Sequence, residues 1–169
     1  MKSGAAFGMV FGLMVGLVIA VILLKFSNKD HKFKTQYDER QEFIKGRGYK
    51  ISFYTLLYLE ALLAIFETSD ISFGIDRYLV QFIVILISLA VLCVHSIWTG
   101  TYWGLNNNRK RYAVIFLICA ALNAIPVVPM ITGKTSLDSG WLNVIVLIMM
   151  AVIGIELIIK EIMDRREAE

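Results

Sequence analysis

The chain has 169 residues, which is enough for one domain and short for two. Apolar residues make up 57% of it and the mean hydropathy is +0.67, above the roughly 45–50% apolar content of soluble domains, which indicates lipid contact. Both cysteines fall inside apolar runs, which argues against a disulfide framework, and the net charge of +3 lies in short islands between those runs rather than on a soluble nucleic-acid-binding face.

Five apolar runs predict an all-α fold, a single integral membrane domain of five transmembrane helices. A helix that spans a bilayer needs about 20 mostly apolar residues, each adding about 1.5 Å. The runs that reach or approach this length cover residues 4–24, 51–66, 79–98, 112–131 and 142–159. A charged connector covers residues 25–50.

The distribution of Lys and Arg predicts the orientation of this bundle. Eight of the 17 basic residues lie in segment 25–50, three lie in the 106–111 loop, three follow Ile159, and the other three are scattered. Because basic residues concentrate in cytoplasmic loops, we expect the N-terminus outside and the C-terminus in the cytoplasm. The first run lacks the cleavage signature of a signal peptide, so we interpret it as a retained helix.

The first predicted helix carries a stripe of small residues. Gly4, Gly8, Gly12 and Gly16 recur every four residues and therefore share one slowly turning face. Such a stripe lets another helix approach closely. The partner is an internal helix, a second copy of the chain or a different protein, and a pore-lining role is the alternative.

The connector contains the most distinctive charged motif in the chain. Asp38-Glu39-Arg40-Gln41 is followed by Gly46-Arg47-Gly48-Tyr49-Lys50 at the entry to the second run. Basic residues at a membrane surface bind anionic lipid. The segment is either an interfacial connector that sets topology or a docking site for a protein partner. The residues predicted to make lipid or partner contacts are Asp38, Glu39, Arg40, Gln41, Arg47 and Lys50.

This motif, within a multi-span chain, resembles that of a group of small, largely uncharacterised membrane proteins of Gram-positive bacteria. Some members of that group are encoded beside small helix-turn-helix regulators. The resemblance rests on about 14 residues around Asp38–Lys50. It implies a bacterial plasma membrane location and a regulatory partner, and it implies no particular activity.

Glu60 is a carboxylate within the second run. It follows Lys50 by ten residues, or about 15 Å of helix, which predicts a position near the bilayer centre. A carboxylate there is costly and is a functional candidate by default. The alternative is a neutral glutamic acid that hydrogen-bonds to a neighbouring helix.

The third run places polar residues on one helical face. Gln81, Ser88 and His95 are separated by seven residues, with Ser88 predicted at mid-depth. They form either a proton or solute path in which His95 titrates, or a strip of interhelical hydrogen bonds.

The fourth run is interrupted by proline. Asn123 is predicted to share the level of Glu60 and Ser88, and Pro126 follows three residues later. A proline frees a backbone carbonyl, which either serves as an ion ligand or accepts a bond from a neighbouring helix. In the fifth run Glu156 precedes Lys160 by four residues, which predicts an ion pair.

The sequence indicates no enzyme. It has two histidines, no spacing typical of metal ligands, no nucleophile elbow and no phosphate-binding loop, so we expect no metal and no cofactor. Two functional hypotheses remain. The first is an accessory or regulatory subunit that acts through segment 25–50. The alternative is a small ion- or proton-coupled transporter, oligomeric through helix 1, that uses a midplane Glu60.

Overall fold

The computed structural model describes residues 3–69, 74, 76–133 and 141–167, without the side chains of residues 3–10 and Leu13. Within these ranges the backbone forms no strand, only an isolated bridge between Asn28 and Asn107. The predicted all-α class is therefore confirmed. The helices are α1 (Ser3–Ser27), α2 (Glu39–Thr68), α3 (Arg77–Trp98), α4 (Arg109–Ala124), α5 (Val127–Ile131) and α6 (Trp141–Glu167).

Three of these helices are long and apolar enough to cross a membrane. They are α2, α3 and α6, with 30, 22 and 27 residues. In the most apolar stretch of each, none of α2, 22% of α3 and 6% of α6 is buried within the chain. Apolar surface left open to this extent suits contact with lipid. Two shorter helical stretches are Met14–Ser27 in the apolar part of α1 and the 16 residues of α4.

Helix α2 begins well before its apolar run. The predicted span covered residues 51–66, whereas the helix starts at Glu39 and continues through Gly46 and Gly48 without a break. Asp38 caps the helix, which fixes its first turn inside the predicted connector. Hydropathy marks where side chains become apolar, but it does not mark where the backbone becomes helical.

The fourth predicted span is divided at proline. Helix α4 ends at Ala124 and α5 begins at Val127, although the two residues between them keep right-handed helical dihedral angles. Pro126 lacks the amide that would bond to Leu122, and its ring displaces that carbonyl. The segment is therefore a kinked helix rather than two helices joined by a loop.

Helix α3 is central to the bundle. The principal helix contacts are α2 with α3, α3 with α6, α6 with α4, and α4 with α1. Among the described residues, helix α3 contributes three of the six buried apolar side chains. These residues are Leu79, Val84 and Ile97 from α3, with Met130, Met150 and Ile153 from α5 and α6.

The three basic segments meet at one end of the bundle, which we call the basic end. There Asn107 donates a hydrogen bond to Asn28, and Arg109 pairs with Glu161 at 3.4 Å. The connector, the 99–108 loop and the last turns of α6 therefore lie together. The sequence assigned these same segments to one side of the membrane.

The glycine stripe is open where its surroundings are described. A Cβ atom added at Gly12 or Gly16 would meet nothing within 4 Å. Among the described residues, no internal helix therefore packs on this part of the stripe. The surroundings of Gly4 and Gly8 lie outside the described residues.

Candidate functional site

An asparagine cluster, formed by Asn28, Asn106 and Asn107, joins the connector to the 99–108 loop. Asn28 is fully buried, and its side-chain oxygen accepts a hydrogen bond from the Asn107 amide at 2.7 Å. The Asn28 amide in turn donates to the carbonyl of Lys32 at 2.7 Å. Buried amides of this kind are costly unless they are paired, so each one selects this single arrangement of the two segments.

Both the oxygen and the nitrogen of the Asn106 side-chain amide form hydrogen bonds to the connector. Its oxygen accepts from the Gln36 backbone at 2.8 Å, and its nitrogen donates to Asp30 at 3.0 Å. Desolvation raises the pKa of Asp30, but hydrogen bonds from the Lys32 backbone and from Asn106 outweigh this effect. The pKa of Asp30 therefore lies below its ordinary value. The connector between α1 and α2 is thus hydrogen-bonded to the rest of the protein.

The loop also requires a glycine. Gly104 lies beneath the connector, and an added Cβ would stand 2.7 Å from the Gln36 carbonyl oxygen and would overlap Thr35. Two residues before it, burial raises the pKa of Tyr102 to about 12. Tyr102 is therefore neutral, with its ring packed edge-on against Trp103.

The Asp38–Gln41 motif is divided between structural and exposed residues. The Asp38 carboxylate accepts from the Gln41 backbone N–H at 2.6 Å, and the Gln41 side-chain oxygen accepts from the Asp38 backbone N–H, which completes a capping box. The Gln41 side chain also donates to the carbonyls of Gly100 and Trp103. Asp38 and Gln41 thus start α2 and hold it against the loop. The cap had a local signal, since Asp followed three residues later by Gln is a capping-box pattern, whereas the contact with the loop had none.

The other motif residues form an exposed face on the first turns of α2, which we call the basic face. Its exposed side chains are Glu39, Arg40, Phe43, Arg47 and Lys50. The Arg47 guanidinium lies 4.7 Å from the centre of the Phe43 ring, and Phe43 is 64% exposed. Cations held over aromatic rings with both groups open to the outside can contact a partner surface or lipid headgroups.

The structure separates the levels of Glu60 and Ser88, which were predicted to coincide. Gln81 donates to Glu60 at 3.5 Å, whereas Ser52 donates to the Ser88 carbonyl at 2.6 Å. Since Ser52 precedes Glu60 by eight residues, the levels of Ser88 and Glu60 differ by about 12 Å along α2. Glu60 therefore lies toward the N-terminal end of α3, away from its middle. The predicted common level of Glu60 and Ser88 is wrong, because the register between α2 and α3 is set by side-chain packing and not by the distance from Lys50.

His95 of α3 packs against Gly48 of α2. An added Cβ at Gly48 would stand 2.8 Å from the His95 Nδ1 atom. This nitrogen is buried without a hydrogen-bond partner among the described residues. The three residues of the predicted stripe make separate contacts. Gln81 bonds to Glu60, the Ser88 hydroxyl bonds to its own helix, and His95 packs on Gly48.

Asn123 and Glu156 both have partners that the sequence did not predict. The Asn123 amide donates to the Cys119 carbonyl of its own helix at 2.9 Å. Glu156 accepts from the Trp98 indole at 2.8 Å, while Lys160 pairs with Asp164 at 2.6 Å. The predicted Glu156–Lys160 ion pair is replaced by these two contacts, because Lys160 has a carboxylate one turn further along α6.

Comparison of the chain with protein-family models, curated proteins and solved structures found no match. Function must therefore be argued from the geometry of the chain itself. Within the described residues no group of histidine, cysteine and carboxylate side chains is arranged to hold a metal ion.

The asparagine cluster is the main feature that the sequence reading missed. Asn106, Asn107 and Asn108 directly precede α4. Three consecutive asparagines before a helix were a local signal, because Asn108 caps α4 by accepting from Lys110 and Arg111. Their pairing with Asn28, 79 residues earlier, had no local signal.

Proposed function

We propose that this protein is an accessory or regulatory subunit located in a bacterial plasma membrane, without catalytic activity or a cofactor of its own. The observation that carries this proposal is the basic face. It stands on a helix that a capping box and the bonds from Gln41 hold in place. A fixed surface costs less conformational entropy to bind than a mobile tail does, which favours recognition by a partner.

The proposed topology has five spans, with the basic end in the cytoplasm. Helices α2, α3 and α6 meet the length requirement, and α1 and the kinked α4–α5 segment complete the count. An odd number of spans puts the two termini on opposite sides. Reporter fusions at both ends test this topology, and finding both reporters on the same side would rule it out.

The partner is proposed to be a membrane or cytoplasmic protein with acidic groups and an apolar pocket. The basic face offers three exposed cations, Arg40, Arg47 and Lys50, and the Arg47 guanidinium lies over the exposed ring of Phe43. Aromatic and arginine side chains dominate binding energy at protein interfaces. The resemblance to chains encoded beside small regulators agrees with such a partner.

The test is co-purification in mild detergent followed by mass spectrometry. We expect a stoichiometric partner that is lost when Arg40, Arg47 and Lys50 are changed to Gln together. The matched control changes Lys34, Arg165 and Arg166 to Gln, three exposed cations at the same end of the bundle that are not part of the basic face. Retention of the partner by the triple variant, or its equal loss from the control, would count against the proposal.

A small ion- or proton-coupled transporter remains the alternative, and one contact bears on it. Gln81 of α3 donates a hydrogen bond to Glu60 of α2. Such a contact is compatible with proton transport and equally with a purely structural role. If Glu60 carries protons, Glu60→Gln abolishes flux in proteoliposomes while the bundle stays folded. Flux that is the same in this variant and in the parent protein would eliminate that mechanism.

A further inference from the structure

A cavity of about 650 Å³ opens at the basic end, apart from the basic face. It lies between the 100–110 segment and the last turns of α6, and Lys29 of the connector forms part of its wall. Small-molecule sites commonly have volumes of about 300–1,000 Å³, so the cavity is large enough for an organic ligand.

The charge of the cavity wall is strongly biased toward positive. Four cations line it, and two carboxylates oppose them. The cations are Lys29, Arg109, Lys110 and Lys160, and the carboxylates are Glu161 and Asp164. Two positive charges are therefore left over, which is the charge that a phosphate monoester balances near neutral pH.

Two of the cations have no carboxylate partner within the described residues. Arg109 pairs with Glu161 and Lys160 pairs with Asp164, but Lys29 and Lys110 form no such ion pair there. The Arg109–Glu161 pair is long, at 3.4 Å, and both side chains are about half exposed or more. Exposed pairs of this kind contribute little stability, so Arg109 can change partner when an anion enters.

The remainder of the wall is suited to an organic group. Ile97 and Leu157 contribute apolar surface, and the aromatic rings of Tyr102 and Trp103 lie beside them. The Arg109 guanidinium carbon stands 5.7 Å from the centre of the Trp103 ring, which keeps the cation close to this surface. A phosphate with an attached organic group therefore matches the cavity better than a bare inorganic anion does.

We propose that this cavity is a binding site for an organic phosphate, held by Lys29, Lys110 and Arg109 with its organic part against Trp103 and Leu157. The same chemistry is found in the headgroup of an anionic phospholipid and in a soluble phosphate ester. This inference does not depend on the proposed partner, because neither Lys29 nor Lys110 belongs to the basic face.

The first experiment measures binding of glycerol phosphate to the full chain in nanodiscs made of phosphatidylcholine alone. Calorimetry and thermal unfolding are compared with sodium chloride at the same ionic strength. We expect saturable binding and a raised unfolding temperature with glycerol phosphate only. A shift of the same size with sodium chloride would overturn the proposal, because it would reflect screening of charges rather than a site.

The Lys29→Gln/Lys110→Gln variant tests the residues. Both side chains are exposed, and the backbone bond from Lys29 to the Asn106 carbonyl is kept, so the fold should persist. Lys32→Gln/Lys34→Gln is the matched control, since it removes the same charge from the connector outside the cavity. We expect affinity to fall about tenfold or more in the first variant alone, since each charge-assisted hydrogen bond is strong. Equal affinities in the two variants would overturn the assignment.

Unfolding without ligand serves as the folding control, and Lys29→Gln alone provides a milder variant. If the double variant unfolds early, the single variant must still bind glycerol phosphate more weakly than Lys32→Gln does. Equal binding by these two single variants would also overturn the proposal.

A second arm distinguishes the two sources of phosphate. The parent protein is placed in nanodiscs that contain phosphatidylglycerol, and glycerol phosphate is titrated again. Weaker apparent affinity in the parent protein but not in the Lys29→Gln/Lys110→Gln variant identifies a lipid headgroup as the occupant. Unchanged affinity identifies a soluble ester.

Discussion

Asn107 of the 99–108 loop bonds to the connector through its side-chain amide. Replacement of Asn107 by alanine tests the asparagine cluster directly. Its nitrogen donates to Asn28 at 2.7 Å and its oxygen accepts from the Gly104 backbone at 2.6 Å. Alanine removes both bonds and leaves the fully buried Asn28 oxygen unpaired. A buried group left in this way costs about 1–3 kcal/mol, and with the second bond the free energy of unfolding should fall by about 2–4 kcal/mol.

Thermal unfolding in detergent and amide hydrogen exchange measure this loss globally and locally. The Lys29 amide bonds to Asn106 and the Leu105 amide to Gln36, so both should exchange faster in Asn107→Ala. Asn123→Ala is the control, because its amide bonds only to Cys119 in its own helix. If the two variants unfold at the same temperature, with Lys29 and Leu105 protected as in the parent, the cluster does not hold the connector.

Three further predictions concern the packing of α2, its cap and the loop. Gly48→Ala should lower the unfolding temperature, because its Cβ would press on His95, whereas Gly46→Ala, with open space around it, should raise stability by up to about 1 kcal/mol. Asp38→Ala should cost about 1 kcal/mol in chemical unfolding, because the cap is lost. Tyrosinate absorbance should show a component near pH 12 that Tyr102→Phe removes. Since folding raises the pKa of this phenol, its stabilisation is complete below pH 10 and lost as pH rises through 12.

The partner and phosphate proposals use different residues at the same end of the bundle. The basic face lies on the first turns of α2, whereas the cavity lies between the loop and α6. Gln41 contacts both regions, because it helps to cap α2 and also lines the cavity. Occupation of the cavity can therefore be compared with partner retention in one set of variants.

Composition and hydropathy by themselves determined the class of this protein. Long apolar runs satisfy their backbone bonds within helices, so an all-α fold with helices long and apolar enough to cross a membrane follows with little help from tertiary contacts. The grouping of the basic segments at one end was also predictable, since charge distribution is a property of the chain. A helix kink at Pro126 followed from the missing amide alone.

Only the tertiary structure decided which polar residues meet. Depth counted along one helix placed Glu60 level with Ser88, but the register between α2 and α3 pairs Glu60 with Gln81. That register depends on how the side chains of the two helices pack together, and no repeating pattern in a single sequence predicts it. The contact of Asn28 with Asn107 is likewise a product of the folded loop. Local patterns determine helices, whereas contacts between distant segments require the whole bundle.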